Sequence, residues 1–89
     1  MKYVVFYSKK DMSVTLFANG GSREDAESFK SQVESFVKSL NKDYEKDITV
    51  SFRSFENVNV CRIKTGITFI NDFVRLVNTL GSIYNVYED

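Results

Sequence analysis

SREDAESFKSQVESFVKSLNK, residues 22–42, is the stretch on which the reading of the whole chain depends. Ala26, Phe29, Val33, Phe36, Val37 and Leu40, with Tyr44 beyond them, recur at intervals of three and four. On a helix these positions form one apolar stripe roughly 100° wide. Arg23, Glu27, Lys30, Glu34 and Lys38 fall outside it, with opposite charges four residues apart at 23/27, 30/34 and 34/38, a spacing that supports an exposed helical face. Ser22 is placed to cap the first turn, and Glu24, Asp25 and Glu27 put negative charge at the positive end of the helix dipole. Such a helix needs an apolar surface to lie on, with Phe36 expected inside the buried stripe.

The flanking sequence reads as that surface. From Lys2 to Ser8, Tyr3, Val5 and Tyr7 alternate with Val4 and Phe6, and apolar residues on both faces predict a central or doubly covered strand. Lys9, Lys10 and Asp11 interrupt it, and Ser13 to Ala18 resumes the alternation with Val14, Leu16 and Ala18, which makes a hairpin. Asn19-Gly20-Gly21 ends the second arm.

Beyond the helix, Asn41 to Asp47 is expected as a charged loop. Ile48, Val50 and Phe52 then alternate with Thr49, Ser51 and Arg53. Glu56-Asn57 is a turn, and Val58 to Lys64 is a second returning arm. A second helix is expected to open at Thr65-Gly66 and to stop at Gly81 after Leu80. Its apolar set, Ile67, Phe69, Ile70, Phe73, Val74, Leu76, Val77 and Leu80, spans an arc of roughly 180°, wider than contact with one sheet needs. Ile83 to Tyr87 suits a short last strand.

These elements predict a single α+β domain over residues 1–89, an antiparallel sheet of four or five strands with two helices on one face, in the order ββαββα(β). With the last strand, Ser13 to Tyr87 has the ferredoxin-like order β-α-β-β-α-β after one extra N-terminal strand. Without it, the chain is two ββα units with no residue-level repeat between them.

Composition narrows the chemistry. The 89 residues are 43% hydrophobic and 15% aromatic, which is a folding composition. Twelve basic side chains balance twelve acidic ones, so no global field attracts nucleic acid or an anionic membrane, and little charge opposes self-association. The absence of histidine removes the usual general base, the commonest metal ligand and any Ser–His or Cys–His nucleophile pair. The single cysteine, Cys61, reads as a small buried hydrophobe. No run suits a signal peptide or a membrane span, so the expected address is cytoplasmic. Absence of proline and tryptophan, with abundant Phe, Tyr, Ile, Asn and Lys, is the skew of AT-rich genomes, many phages and mobile elements included.

Three local patterns resemble chemical motifs and fail as such. Asp43, Glu45 and Asp47 alternate as calcium ligands can, but the places needing glycine and a carboxylate hold Ile48 and Ser54. Gly20-Gly21-Ser22-Arg23 lacks the phosphate-loop lysine and is followed by Glu24 and Asp25. Ser35-Phe36-Val37-Lys38 and Lys64-Thr65-Gly66 spell fragments of the penicillin-recognising motifs, but Ser35 comes late in its helix and the chain is too short. Ser28, Ser31, Ser35 and Ser39 form a row of small side chains on the outer flank of the first helix.

The outward sheet face carries the candidate site. If Ile48, Val50 and Phe52 point at the helices, Arg53 and Phe55 point away, with Phe17, Arg62 and Lys64 as the other candidates on neighbouring strands, near Lys2. Aromatics among cations on an open sheet suit either a protein interface or stacked single-stranded bases. The expectation is a non-enzymatic module without cofactor or metal, which binds a protein partner through this face or through the second helix. A phage or mobile-element protein that inhibits a host factor is the specific form, with a homo-oligomer as one outcome. Single-stranded nucleic-acid binding is the alternative. A membrane role is not expected.

Overall fold

The structure, a computed structural model, describes residues 2–65 and 69–88, with 82–85 described by their backbone alone. Seven elements follow one another: β1 (Lys2–Ser8), β2 (Ser13–Asn19), α1 (Arg23–Tyr44), β3 (Thr49–Phe55), β4 (Val58–Lys64), α2 (Ile70–Leu80) and β5 (Ser82–Glu88). The fold is α+β in the expected order, the last strand included. Gly66 and Ile67, assigned by the sequence to the start of α2, lie outside the described residues.

The five strands form one sheet in the order β3-β4-β2-β1-β5. Three pairings are antiparallel, as expected, and β1 and β5 run parallel, so the sheet is mixed but mostly antiparallel. The extra strand, β1, is inserted between β2 and β5. Its sequence explains the place: a strand apolar on both faces belongs inside a sheet. The short β1–β2 turn fixes one of its edges, and the crossover through α2 delivers β5 to the other, a connection that suits parallel pairing.

Both helices cover one face. Tyr3, Val5, Val14, Leu16, Ala18, Cys61 and Ile63 turn toward them and are buried. α1 contributes Phe29, Val33, Val37 and Leu40, and α2 contributes Phe73 and Val77. The Phe29 ring lies 5.6 Å from Tyr3 and 6.4 Å from Phe52, while Phe36 meets Phe73 edge-on at 5.2 Å. Phe36 therefore joins the two helices and is half-buried, where the sequence placed it deep in the stripe. The wide apolar arc of α2 has the same explanation. Phe73 meets α1 through Phe36 and is buried with Val77, while Ile70, Val74, Leu76 and Leu80 lie half-buried against the core.

Ser22 caps α1 as its sequence requires: Ser22 Oγ accepts from the Asp25 N–H at 3.2 Å, and Asp25 Oδ2 accepts from the Ser22 N–H at 2.9 Å. Asp25 thus occupies the N–H group that an anion at this turn would need, and the Gly20 N–H donates to Asn57 O at 3.1 Å. The far end of α1 departs from expectation. Asn41 to Tyr44 are helical and Glu45 ends the helix with a left-handed φ of 52°. Two contacts hold this extra turn: Asn41 bonds the backbone of Ile48, and Tyr44 rests on Phe69 with ring centres 5.3 Å apart. On the exposed flank Arg23 and Glu27 approach to 3.6 Å. Lys30 instead lies over the Phe52 ring, 5.5 Å from its centre.

Candidate functional site

Helices cover one face of the sheet, and strand register dictates what the other face presents. Residues directly opposite across two strands share a face. Four rows cross the sheet in this way: Phe55, Val58, Asn19 and Lys2; Arg53, Val60, Phe17 and Val4; Ser51, Arg62, Thr15 and Phe6; Thr49, Lys64, Ser13 and Ser8. Tyr87 of β5 extends the third row beside Phe6.

All five residues singled out from the sequence, Phe17, Arg53, Phe55, Arg62 and Lys64, stand on this face. They do not form one cluster. Arg53 and Arg62 are diagonal neighbours on β3 and β4, and Phe17 is separated from Arg53 by Val60. Phe55 stands at a corner, at the end of β3, and is 73% exposed. Lys64 lies at the opposite end, where it lines a separate hollow of about 300 Å³ with Met12, Ile48 and Phe69.

The register also brings in residues that the sequence did not single out. A concavity of about 430 Å³ opens on the face, lined by Phe6, Thr15, Ser51, Arg53, Val60 and Arg62, with Ser8, Ser13 and Asp11 at one end. At that end the Asp11 N–H donates to Ser8 Oγ at 3.0 Å, which holds the β1–β2 turn against the sheet. Phe6, Thr15 and Ser51 had the correct strand parity, but only inter-strand pairing reveals that they meet.

Charge is segregated even though the chain is neutral. The outward strand positions hold Lys2, Arg53, Arg62 and Lys64 and no carboxylate. Neither Arg53 nor Arg62 makes an ion pair among the described residues. The carboxylates lie in turns, on the helices and at the end of β5, where Glu88 holds Lys9 at 2.7 Å. Such a face attracts anionic groups locally in spite of zero net charge.

Other candidates carry less chemistry. Cys61 is fully buried between Leu16 and Phe52, and burial, with the nearby Glu34 charge, pushes its thiol up to about 12, far from a reactive thiolate. The serine row of α1 is exposed throughout. Among the described residues no three acidic or cysteine side chains gather as a metal site requires, and no helix is long and apolar enough to cross a membrane.

No protein-family profile and no curated protein matches the sequence. Among solved structures, the crystal structure of SMU.848 from Streptococcus mutans is similar, with a TM-score of 0.61, 13% identity, and coverage of 99% of this chain and 94% of that one. At that identity the likeness is one of fold, shared over nearly the full length of both chains.

Proposed function

We propose that this chain is a small cytoplasmic binding module, not an enzyme, whose working surface is the open face of the sheet and whose partner is a protein surface both acidic and apolar. The observation that carries this reading is the set of outward positions: Arg53, Arg62, Lys2 and Lys64 beside Phe55, Phe17 and Phe6, with no carboxylate at the outward positions of β1 to β4. Arginine and aromatic side chains supply most of the energy of interface cores. The AT-rich composition favours a phage or mobile-element protein that inhibits a host factor by covering it. The test is affinity capture from host lysate, with and without nuclease, by the wild-type chain, R53A and F55A. A partner that survives nuclease and is weakened at least about tenfold by each variant supports the reading. A partner unaffected by both removes it. A second copy of the chain as the occupant would show as a concentration-dependent mass above 10.3 kDa that F55A abolishes.

Single-stranded nucleic acid is the second reading, and one observation favours it: Phe17 and Phe6 lie in the rows that contain Arg53 and Arg62, so stacked bases would have cations beside them. Capture lost on nuclease treatment, and binding that falls steeply with salt, select it.

A further inference from the structure

The groove between Arg53 and Arg62 has a composition that the face as a whole does not. We propose that it is a phosphate site, which takes the terminal phosphate of a small phosphomonoester and rests the organic part on Phe6 and Val60. This goes beyond the partner reading and does not depend on it.

Two guanidinium groups line one concavity of about 430 Å³, within the range of small-ligand pockets. They occupy diagonal positions on β3 and β4, about 7–8 Å apart at the backbone in such a pair. Neither has a carboxylate partner among the described residues, so their mutual repulsion is not neutralised by the chain. Ser51, directly opposite Arg62 and two residues from Arg53, and Thr15, on the other side of Arg62, line the groove with them, adding hydroxyl donors. A carboxylate carries one charge on two oxygens, which a single guanidinium fork engages together. A phosphomonoester carries about −1.5 to −2 charge at neutral pH and three terminal oxygens, which matches two forks and the hydroxyls together. The only carboxylate in the lining, Asp11, is at the β1–β2 turn, and it biases a dianion toward Arg53 and Ser51, away from that turn. Phe6 and Val60 supply the apolar wall.

The test is amide and guanidinium NMR of the full chain, titrated with inorganic phosphate, phenyl phosphate and benzoate at constant ionic strength. Saturable shifts at Arg53, Arg62, Ser51 and Thr15 are expected with both phosphates, and phenyl phosphate should bind more tightly through Phe6 and Val60. R53Q and R62Q should each weaken phenyl phosphate at least about tenfold, and R62K nearly as much, because lysine keeps the charge but loses the fork. Both arginines are exposed, and an unchanged denaturation midpoint confirms that the variants are folded. Shifts that never saturate, that spread equally over Lys9 and Lys38, or that benzoate reproduces would overturn the assignment. So would phenyl phosphate binding that R53Q and R62Q leave intact. An unphosphorylated single-stranded oligonucleotide that displaces phenyl phosphate from the same residues at lower concentration assigns the groove to polynucleotide instead.

Discussion

Asn41 and Ile48 close a two-bond ring between the end of α1 and the start of β3. Asn41 Nδ2 donates to Ile48 O at 3.1 Å, and the Ile48 N–H donates to Asn41 Oδ1 at 2.8 Å. The side-chain amide copies the donor and acceptor pair of a neighbouring strand, and it satisfies both backbone groups of a residue only 8% exposed. Asn41→Ala is expected to cost about 1–3 kcal/mol, since it leaves a buried donor and acceptor unpaired. Asn41→Asp should recover part, because a carboxylate can accept from Ile48 but cannot donate to it. Urea denaturation of the two variants checks the order.

The two phenylalanines of α1 should differ. Phe29 is 2% exposed between Tyr3 and Phe52, whereas Phe36 is half-buried against Phe73. Phe29→Ala is expected to cost about 3–5 kcal/mol as a buried aromatic truncation. Phe36→Ala is expected to cost about 1–3 kcal/mol, since it deletes a helix–helix contact at the rim. Equal losses in chemical denaturation would mean that both rings are core.

β5 is latched to β1 by charge. Glu88 takes Lys9 Nζ at 2.7 Å and the Tyr7 hydroxyl at 3.0 Å. These bonds, from Lys9 first and then Tyr7, hold the Glu88 carboxyl below its ordinary value of 4.5, and the bonds to Glu88 raise Lys9 and Tyr7 above 10.5 and 10.0. For a depressed carboxyl, the stabilisation is present above 4.5 and is lost as pH falls through the folded-state value; for the two raised groups, it is present below their ordinary values and is lost as pH rises through the folded-state ones. The stability gap between wild type and Glu88→Gln should therefore be open at neutral pH and close toward acid. A gap that stays constant down to pH values where carboxylates are protonated contradicts the latch.

Cys61 should be silent in the folded protein. With its thiol fully buried and pushed up to about 12, a thiol reagent at mildly alkaline pH should label the native chain only as fast as it unfolds. Labelling is then expected to accelerate with urea along the unfolding transition. Fast labelling in buffer alone would place Cys61 at a surface.

The sequence by itself determined the elements and their sidedness. Periodicity is a property of neighbouring residues, so the stripe of α1, the Ser22 cap, the two hairpins and the outward parity of Arg53 and Phe55 follow from spacing alone. What lies beside what was decided by the tertiary structure. The insertion of β1 between β2 and β5 and the contact of Phe36 with Phe73 depend on segments far apart in the chain, and the extra turn of α1 depends on the contacts of Asn41 with Ile48 and of Tyr44 with Phe69. The groove is the clearest case. Arg53 and Arg62 share a hairpin whose turn sets their diagonal, but Thr15 and Phe6 join them only because β2 docks beside β4 and β1 beside β2, each in one register. A shift of one residue would turn every one of those side chains to the opposite face. That register is chosen by burial of Leu16, Cys61 and Val5 on the helix side, so the helix-covered core selects which polar groups meet on the open one.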